Sequence, residues 1–140
     1  MTQESRVQNP ESRPSVRKVD HNFENLGVWN HASKLAVVVC VAWEESNNFP
    51  LKDQIRRSTI SISSNIAEGT ERATDRDFSR FLDITKRSCS ELRTQLQLHK
   101  EISRKLSCEP FEGTDRIISE TKEISKMLGG LSKHLNVPRS

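Results

Sequence analysis

Hydrophobic positions in this chain recur at spacings of three and four over four separate stretches, the repeat of a helix with one buried face. Between about Asn22 and Asn47 the stripe is Trp29, Ala32, Ala36, Val39, Cys40 and Trp43. The run Val37-Val38-Val39-Cys40-Val41 is rich in β-branched residues and tempts a strand reading. The three-four pattern starts before that run and ends after it, so a helix is expected, closed by Asn47-Asn48-Phe49-Pro50 because a residue before proline avoids helical angles. A second helix is expected from Leu51, with Leu51, Ile55, Thr59, Ile62 and Ile66 on one stripe and Gly69 as its C-terminal cap. Its Ser-Thr-Ile-Ser-Ile-Ser segment also alternates with period two, which fits a short strand.

The third stretch has the cleanest periodicity. Phe78, Leu82, Thr85, Cys89, Leu92, Leu96 and His99 form a heptad-like seam, and Phe81, Ile84, Ser88, Gln95 and Leu98 form a second row that widens it. Thr74 or Asp75 is placed to cap its start, and it is expected to run to about Ser103. After the loop Cys108-Glu-Pro-Phe-Glu-Gly, the fourth helix carries Ile117, Thr121, Ile124, Leu128, Leu131 and Leu135, with Gly129-Gly130 expected to weaken or bend its end. Four amphipathic helices with short connections predict an all-α fold, an antiparallel up-down-up-down four-helix bundle over residues 22–137. Residues 1–21 hold almost no large apolar side chain and are expected to be a flexible tail. An inert tail is favoured there over a nucleic-acid-binding arm built on Arg6, Arg13, Arg17 and Lys18.

Composition narrows the classes. At 140 residues, 33% hydrophobic and 29% charged, the chain supports one domain with a thin apolar stripe per helix. Its longest apolar run, Leu35 to Trp43, is too short to span a bilayer, so no membrane partner is expected. Cys40, Cys89 and Cys108 are widely spaced and odd in number. A reducing cytoplasm suits them, and Cys40 and Cys89, which fall on apolar helical faces, read as small buried hydrophobes. The net charge is +3, from 22 basic and 19 acidic residues, and the excess sits centrally: residues 50–104 hold eleven basic side chains against eight acidic.

Catalytic patterns are missing. The histidines His21, His31, His99 and His134 form no HExxH or ExxH pair, there is no glycine-rich phosphate loop, and Glu68 has no second acid or base at matched spacing. No enzyme, metal or cofactor is expected. Two polar sets remain. Arg57, Ser61, Ser64 and Glu68 share one side of the second helix, away from the isoleucines. A solvated face accounts for them, and so does a subunit interface, since serine is a poor helix former but permits close approach. The basic set is Arg56, Arg72, Arg76, Arg80, Lys86, Arg87, Arg93 and Lys100. Arg76, Arg80 and Arg87 share a face, and Lys86, Arg93 and Lys100 recur every seven residues. They fit either a solvated face with intrahelical ion pairs or a phosphate-binding surface that follows shape and backbone, not bases.

The segment from Gln54 to Leu92 also carries a resemblance. Gln54-Ile55-Arg56-Arg57-Ser58, Ser63-Ser64-Asn65-Ile66-Ala67-Glu68-Gly69, Arg72, Asp77-Phe78, Phe81-Leu82, Ser88 and Glu91-Leu92 resemble the small four helix bundle proteins of bacteria. That family includes proteins encoded in intervening sequences of large-subunit ribosomal RNA genes, and the match runs from about Phe23 to the last helix. The resemblance implies the bundle fold and a ring of subunits, commonly a pentamer. It makes Arg57, Ser61, Ser64, Asn65, Glu68, Gly69 and Glu91 an interface or structural polar cluster, with Gly69 at positive φ. More distant relatives, the accessory variability proteins of diversity-generating retroelements, bind nucleic acid and work with a reverse transcriptase. These readings give, in order, a self-associating non-enzymatic bundle binding RNA or DNA, an oligomeric protein-interaction scaffold, and a bundle enzyme or metal protein.

Overall fold

The structure is a computed structural model that describes residues 26–44, 50–135 and 137–138. It is an all-α bundle of four helices: α1 Gly27–Glu44, α2 Lys52–Thr70, α3 Asp75–Lys105 and α4 Thr114–Leu135. No strand occurs among the described residues, so the period-two alternation in α2 is helical. The expected tail 1–21, a helix start at Asn22 or Phe23, the end at Asn47 and the side chain of Trp43 all lie outside the described residues. Within them α1 begins at Gly27, where the Asn30 N–H donates to Leu26 O.

The core is what the three-four spacing requires. Val28, Ala32, Leu35 and Val39 of α1 meet Ile55, Ile62 and Ile66 of α2. Phe78, Leu82, Cys89, Leu92 and Leu96 of α3 and Ile117, Ile124 and Leu128 of α4 complete the interior. Every member of the α3 seam is buried, including Thr85 and His99. The second row departs from expectation at its end: Leu98 is 49% exposed. On α1, Cys40 is only half-buried, and Val37, Val38 and Val41 face outward. Cys89 is buried, so burial holds for one of the two cysteines expected in the core, and Cys108, in the loop, is exposed.

Each helix packs on its chain neighbour, and α1 closes against α4 over the smallest shared surface of the four pairs. Ser61 meets Ser88 while Gly69 lies against Phe81, so α2 and α3 run antiparallel. Arg93 reaches Thr121 and Ser125 while Lys100 reaches Asp115, so α3 and α4 do too. Gly27 beside Met127 and His31 paired with Glu120 show the same sense for α1 and α4.

The helix ends have local causes. The Thr74 hydroxyl accepts the Asp77 N–H at 3.1 Å, and Asp75 and Asp77 place negative charge on the first turn of α3. At its other end, the N–H of Cys108 donates to Ser103 O and that of Ser107 to Arg104 O, a Schellman closure. Ser107 takes the left-handed conformation (φ 58) that glycine usually fills there. One expectation about a glycine needs correction. Gly69 has no positive φ and is not the cap of α2; it lies inside the last turn. Its missing side chain matters because α3 comes so close: a Cβ there would lie 2.9 Å from both Phe78 Cδ1 and Phe81 Cβ. Gly129 and Gly130, expected to weaken or bend the end of α4, lie inside the helix, which continues to Leu135.

Candidate nucleic-acid and subunit interface

The polar residues of α2 and α3 meet in a shallow ledge. Asn65 Nδ2 donates to Ser61 O and to Ser61 Oγ, both at 2.9 Å, and Ser61 Oγ lies 3.4 Å from Ser88 Oγ on α3. These three side chains are half-buried, and Ser64, Arg57, Glu68 and Glu91 are exposed around them. Ser61 thus faces α3 and is not on the far side of α2 as helical phase alone suggested. Beyond the C-terminal end of α2, the Arg72 guanidinium lies over the Phe81 ring, 5.3 Å from its centroid, so part of its charge faces an aromatic ring. Gly69 allows this arrangement by letting α3 approach at Phe78 and Phe81.

The eight basic candidates divide into two sets with different surroundings. At about 100° per residue, Arg76, Arg80 and Arg87 project from the outer face of α3, opposite its buried seam, whereas Lys86, Arg93 and Lys100 project toward α4. Hydrogen bonds show the α4 side in use. Arg93 Nε donates to Thr121 Oγ1 at 3.0 Å and its Nη2 to Ser125 Oγ at 3.1 Å. Lys100 Nζ donates to Asp115 Oδ1 at 2.7 Å. These two cations fasten α3 to α4. On the outer side, Arg76 and Arg87 are exposed, and Arg80 pairs with Asp77 at 2.9 Å within its own helix, where both groups remain in solvent. Arg56 and Lys86 are half-buried, and Arg57 is exposed.

Two buried titratable groups sit outside the ledge. Burial pushes the Cys89 thiol up to about 11, against smaller lowering contributions from a Ser125 hydrogen bond and the Arg93 charge. Burial likewise lowers the pKa of His99, with an opposing contribution from the Pro50 carbonyl. His99 Nε2 accepts the Phe111 N–H at 3.0 Å, so the neutral ring carries its proton on Nδ1, 3.3 Å from Pro50 O. His99 is therefore a strut between two loops. Among the described residues, no three His, Cys, Asp or Glu side chains are grouped to hold a metal. No described helix is long and apolar enough to cross a membrane.

Sequence reasoning passed over Ser88 and Phe81 as site residues, although both lie on the second α3 row beside the α2 serines. The signal was present: Phe81, Ile84, Ser88 and Glu91 are spaced by three and four, a second face next to the seam.

A family model described as 23S rRNA-intervening sequence protein matches residues 24–130, which include the whole ledge and all its arginines. The chain belongs to this family. No curated protein matches the chain significantly. Among solved structures, this intervening-sequence family member is similar to a protein of unknown function from the S23 ribosomal protein family of Bacteroides thetaiotaomicron. The TM-score is 0.65 at 25% identity, covering 76% of this chain and 98% of that one.

Proposed function

We propose that this intervening-sequence family member is a non-enzymatic, self-associating bundle that works in the cytoplasm and holds RNA phosphates on the arginine-bearing side of α2 and α3. One observation carries this reading. Among the described residues, no hydrogen bond or ion pair holds Arg57, Arg76 or Arg87, whereas Arg93 and Lys100 on the α4 side are engaged. Arginine suits phosphate oxygens because its planar fork donates two parallel hydrogen bonds. The ledge of Ser61, Asn65 and Ser88 supplies a small-residue surface against which another subunit packs, leaving the Arg76–Arg80–Arg87 row on the outer face of α3. Repetition of that row around a ring, a pentamer by family resemblance, adds the fields of the subunits. RNA is the natural nucleic acid for a family named for intervening sequences of 23S rRNA, with DNA the alternative.

The test is fluorescence anisotropy of a structured RNA titrated with nuclease-treated full-length protein at low and moderate salt. Binding is expected to weaken steeply with salt. Arg76→Glu/Arg87→Glu should weaken it by at least tenfold and reduce the salt slope by roughly two per chain engaged. Absence of binding at low salt by folded protein rejects the RNA reading in favour of an oligomeric protein scaffold, whose ring docks a reverse transcriptase or another protein.

A further inference from the structure

The outer row of α3 has a counterpart on α4. Arg76, Arg80 and Arg87 stand at positions i, i+4 and i+11, and Lys122, Lys126 and Lys133 repeat that spacing on the next helix. At about 100° per residue, each set falls within about 40° on its own helix. Thr121 and Ser125, which receive Arg93, mark the flank of α4 that meets α3, and Lys122 and Lys126 follow them by one residue, on the exposed side. The helices are antiparallel, so the two rows run in opposite directions about 10 Å apart, the distance between packed helices. The register set by Arg93 with Ser125 and Lys100 with Asp115 brings Lys126 level with Ser90 and Lys133 level with Asp83, so the rows overlap in part.

Positive charge is in excess on this face. Arg76, Arg87, Lys122, Lys126 and Lys133 are exposed, and Lys86 is half-buried between the rows. No hydrogen bond or ion pair among the described residues engages any of these six. Most carboxylates of α3 and α4 are already occupied: Asp77 pairs with Arg80, Glu101 with Arg104, Asp115 with Lys100 and Glu120 with His31, while Asp75 is buried. Asp83 is half-buried and itself engaged, and Glu91 and Glu123 are exposed at the two edges, toward α2 and α1. Even with these three counted in full, six cations outweigh them.

The form of RNA that fits follows from the arrangement. A single strand offers one line of phosphates and gains from aromatic rings that stack its bases. Among the described residues, no Phe or Trp ring stands on this face: Phe78 is buried, Phe81 lies beneath Arg72, Phe111 is in the loop beside His99, and Trp29 belongs to α1. A duplex offers two antiparallel lines of phosphates and is held through its shape and backbone. Two antiparallel rows of cations complement it. We infer that the α3–α4 face is a site for double-stranded RNA, with the arginine row on one strand and the lysine row on the other. This rests on the RNA reading above and names the form of RNA that the protein takes.

Fluorescence anisotropy of the full-length protein with a labelled RNA duplex of about 16 base pairs, and with each of its strands alone, tests it. The duplex is expected to bind at least tenfold more tightly than either strand at moderate salt. Lys122→Glu/Lys126→Glu, at exposed positions, should weaken duplex binding at least tenfold and lower its salt slope by roughly two. Single-strand affinity should change less than threefold, with far-UV helicity unchanged. Equal binding of duplex and strands, or duplex binding that survives the lysine variant, overturns the inference. If Arg76→Glu/Arg87→Glu still weakens binding in that case, the RNA reading stands without it. Binding of neither form by folded protein at low salt overturns both.

Discussion

His99 and Phe111 are joined through an imidazole nitrogen that accepts a backbone N–H at 3.0 Å, while the other ring nitrogen faces Pro50 O. Only the neutral ring can accept that bond. The shift is downward from 6.5, caused first by burial, so between the folded and unfolded pKa values the unfolded chain binds more protons. The contribution of His99 is fully present above about pH 6.5 and is lost as pH falls through the lowered folded value. His99→Leu leaves the Phe111 N–H and Pro50 carbonyl without this partner, which costs about 1–3 kcal/mol. The melting gap between wild type and His99→Leu should therefore be wide at pH 7.5 and shrink toward pH 5. A gap that is constant with pH refutes the strut.

Close approach at Gly69 predicts opposite effects for two glycine substitutions. Gly→Ala within a helix gains up to about 1 kcal/mol in propensity. At Gly130 nothing lies within 4 Å of an added Cβ, so Gly130→Ala should raise the melting temperature. At Gly69 the Cβ meets Phe81 Cβ at 2.9 Å, an atom tied to the α3 backbone, and overpacking costs about 1–3 kcal/mol. Gly69→Ala is expected to lower stability by about 1 kcal/mol. Thermal denaturation of the two variants side by side reads the contrast.

Arg93 and Arg87 separate stability from binding. Arg93→Met removes the hydrogen bonds to Thr121 and Ser125 and should cost about 1–2 kcal/mol by urea denaturation. It should change RNA affinity less than twofold. Arg87→Glu, on the exposed row, should leave stability within about 0.5 kcal/mol and weaken RNA binding severalfold. If Arg93→Met weakens binding as much as Arg87→Glu does, the division of the basic residues between two faces is wrong.

Subunit contact through the ledge predicts that Ser64→Trp, from an exposed position, lowers the solution mass by light scattering while far-UV helicity is retained. Ser61→Trp should do the same, although it also presses on Ser88. An unchanged mass in both variants rules out the ledge as the interface.

Much of the fold was legible because periodicity is a property of a single helix. Phe78, Leu82, Thr85, Cys89, Leu92, Leu96 and His99 are all buried as their spacing requires, and Thr74 caps α3 as its hydroxyl allows. The three-four pattern also overruled the strand propensity of Val37 to Val41, whose exposed members point away from the core. A helix's own sequence does not say which neighbour lies beside each flank. Arg76–Arg80–Arg87 and Lys86–Arg93–Lys100 are equally regular rows. Only the position of α4 turns the second into a clamp on Thr121, Ser125 and Asp115 and leaves the first in solvent. Gly69 read as a cap for the same reason, since a glycine needed for backbone freedom and one needed for close packing look alike until α3 is in place. The sequence by itself determined four amphipathic helices, the α3 seam and the motif in α2 and α3, because these follow from local spacing and residue chemistry. The tertiary structure alone decided which arginines remain available and why Gly69 is glycine, because each depends on contacts between residues far apart in the chain.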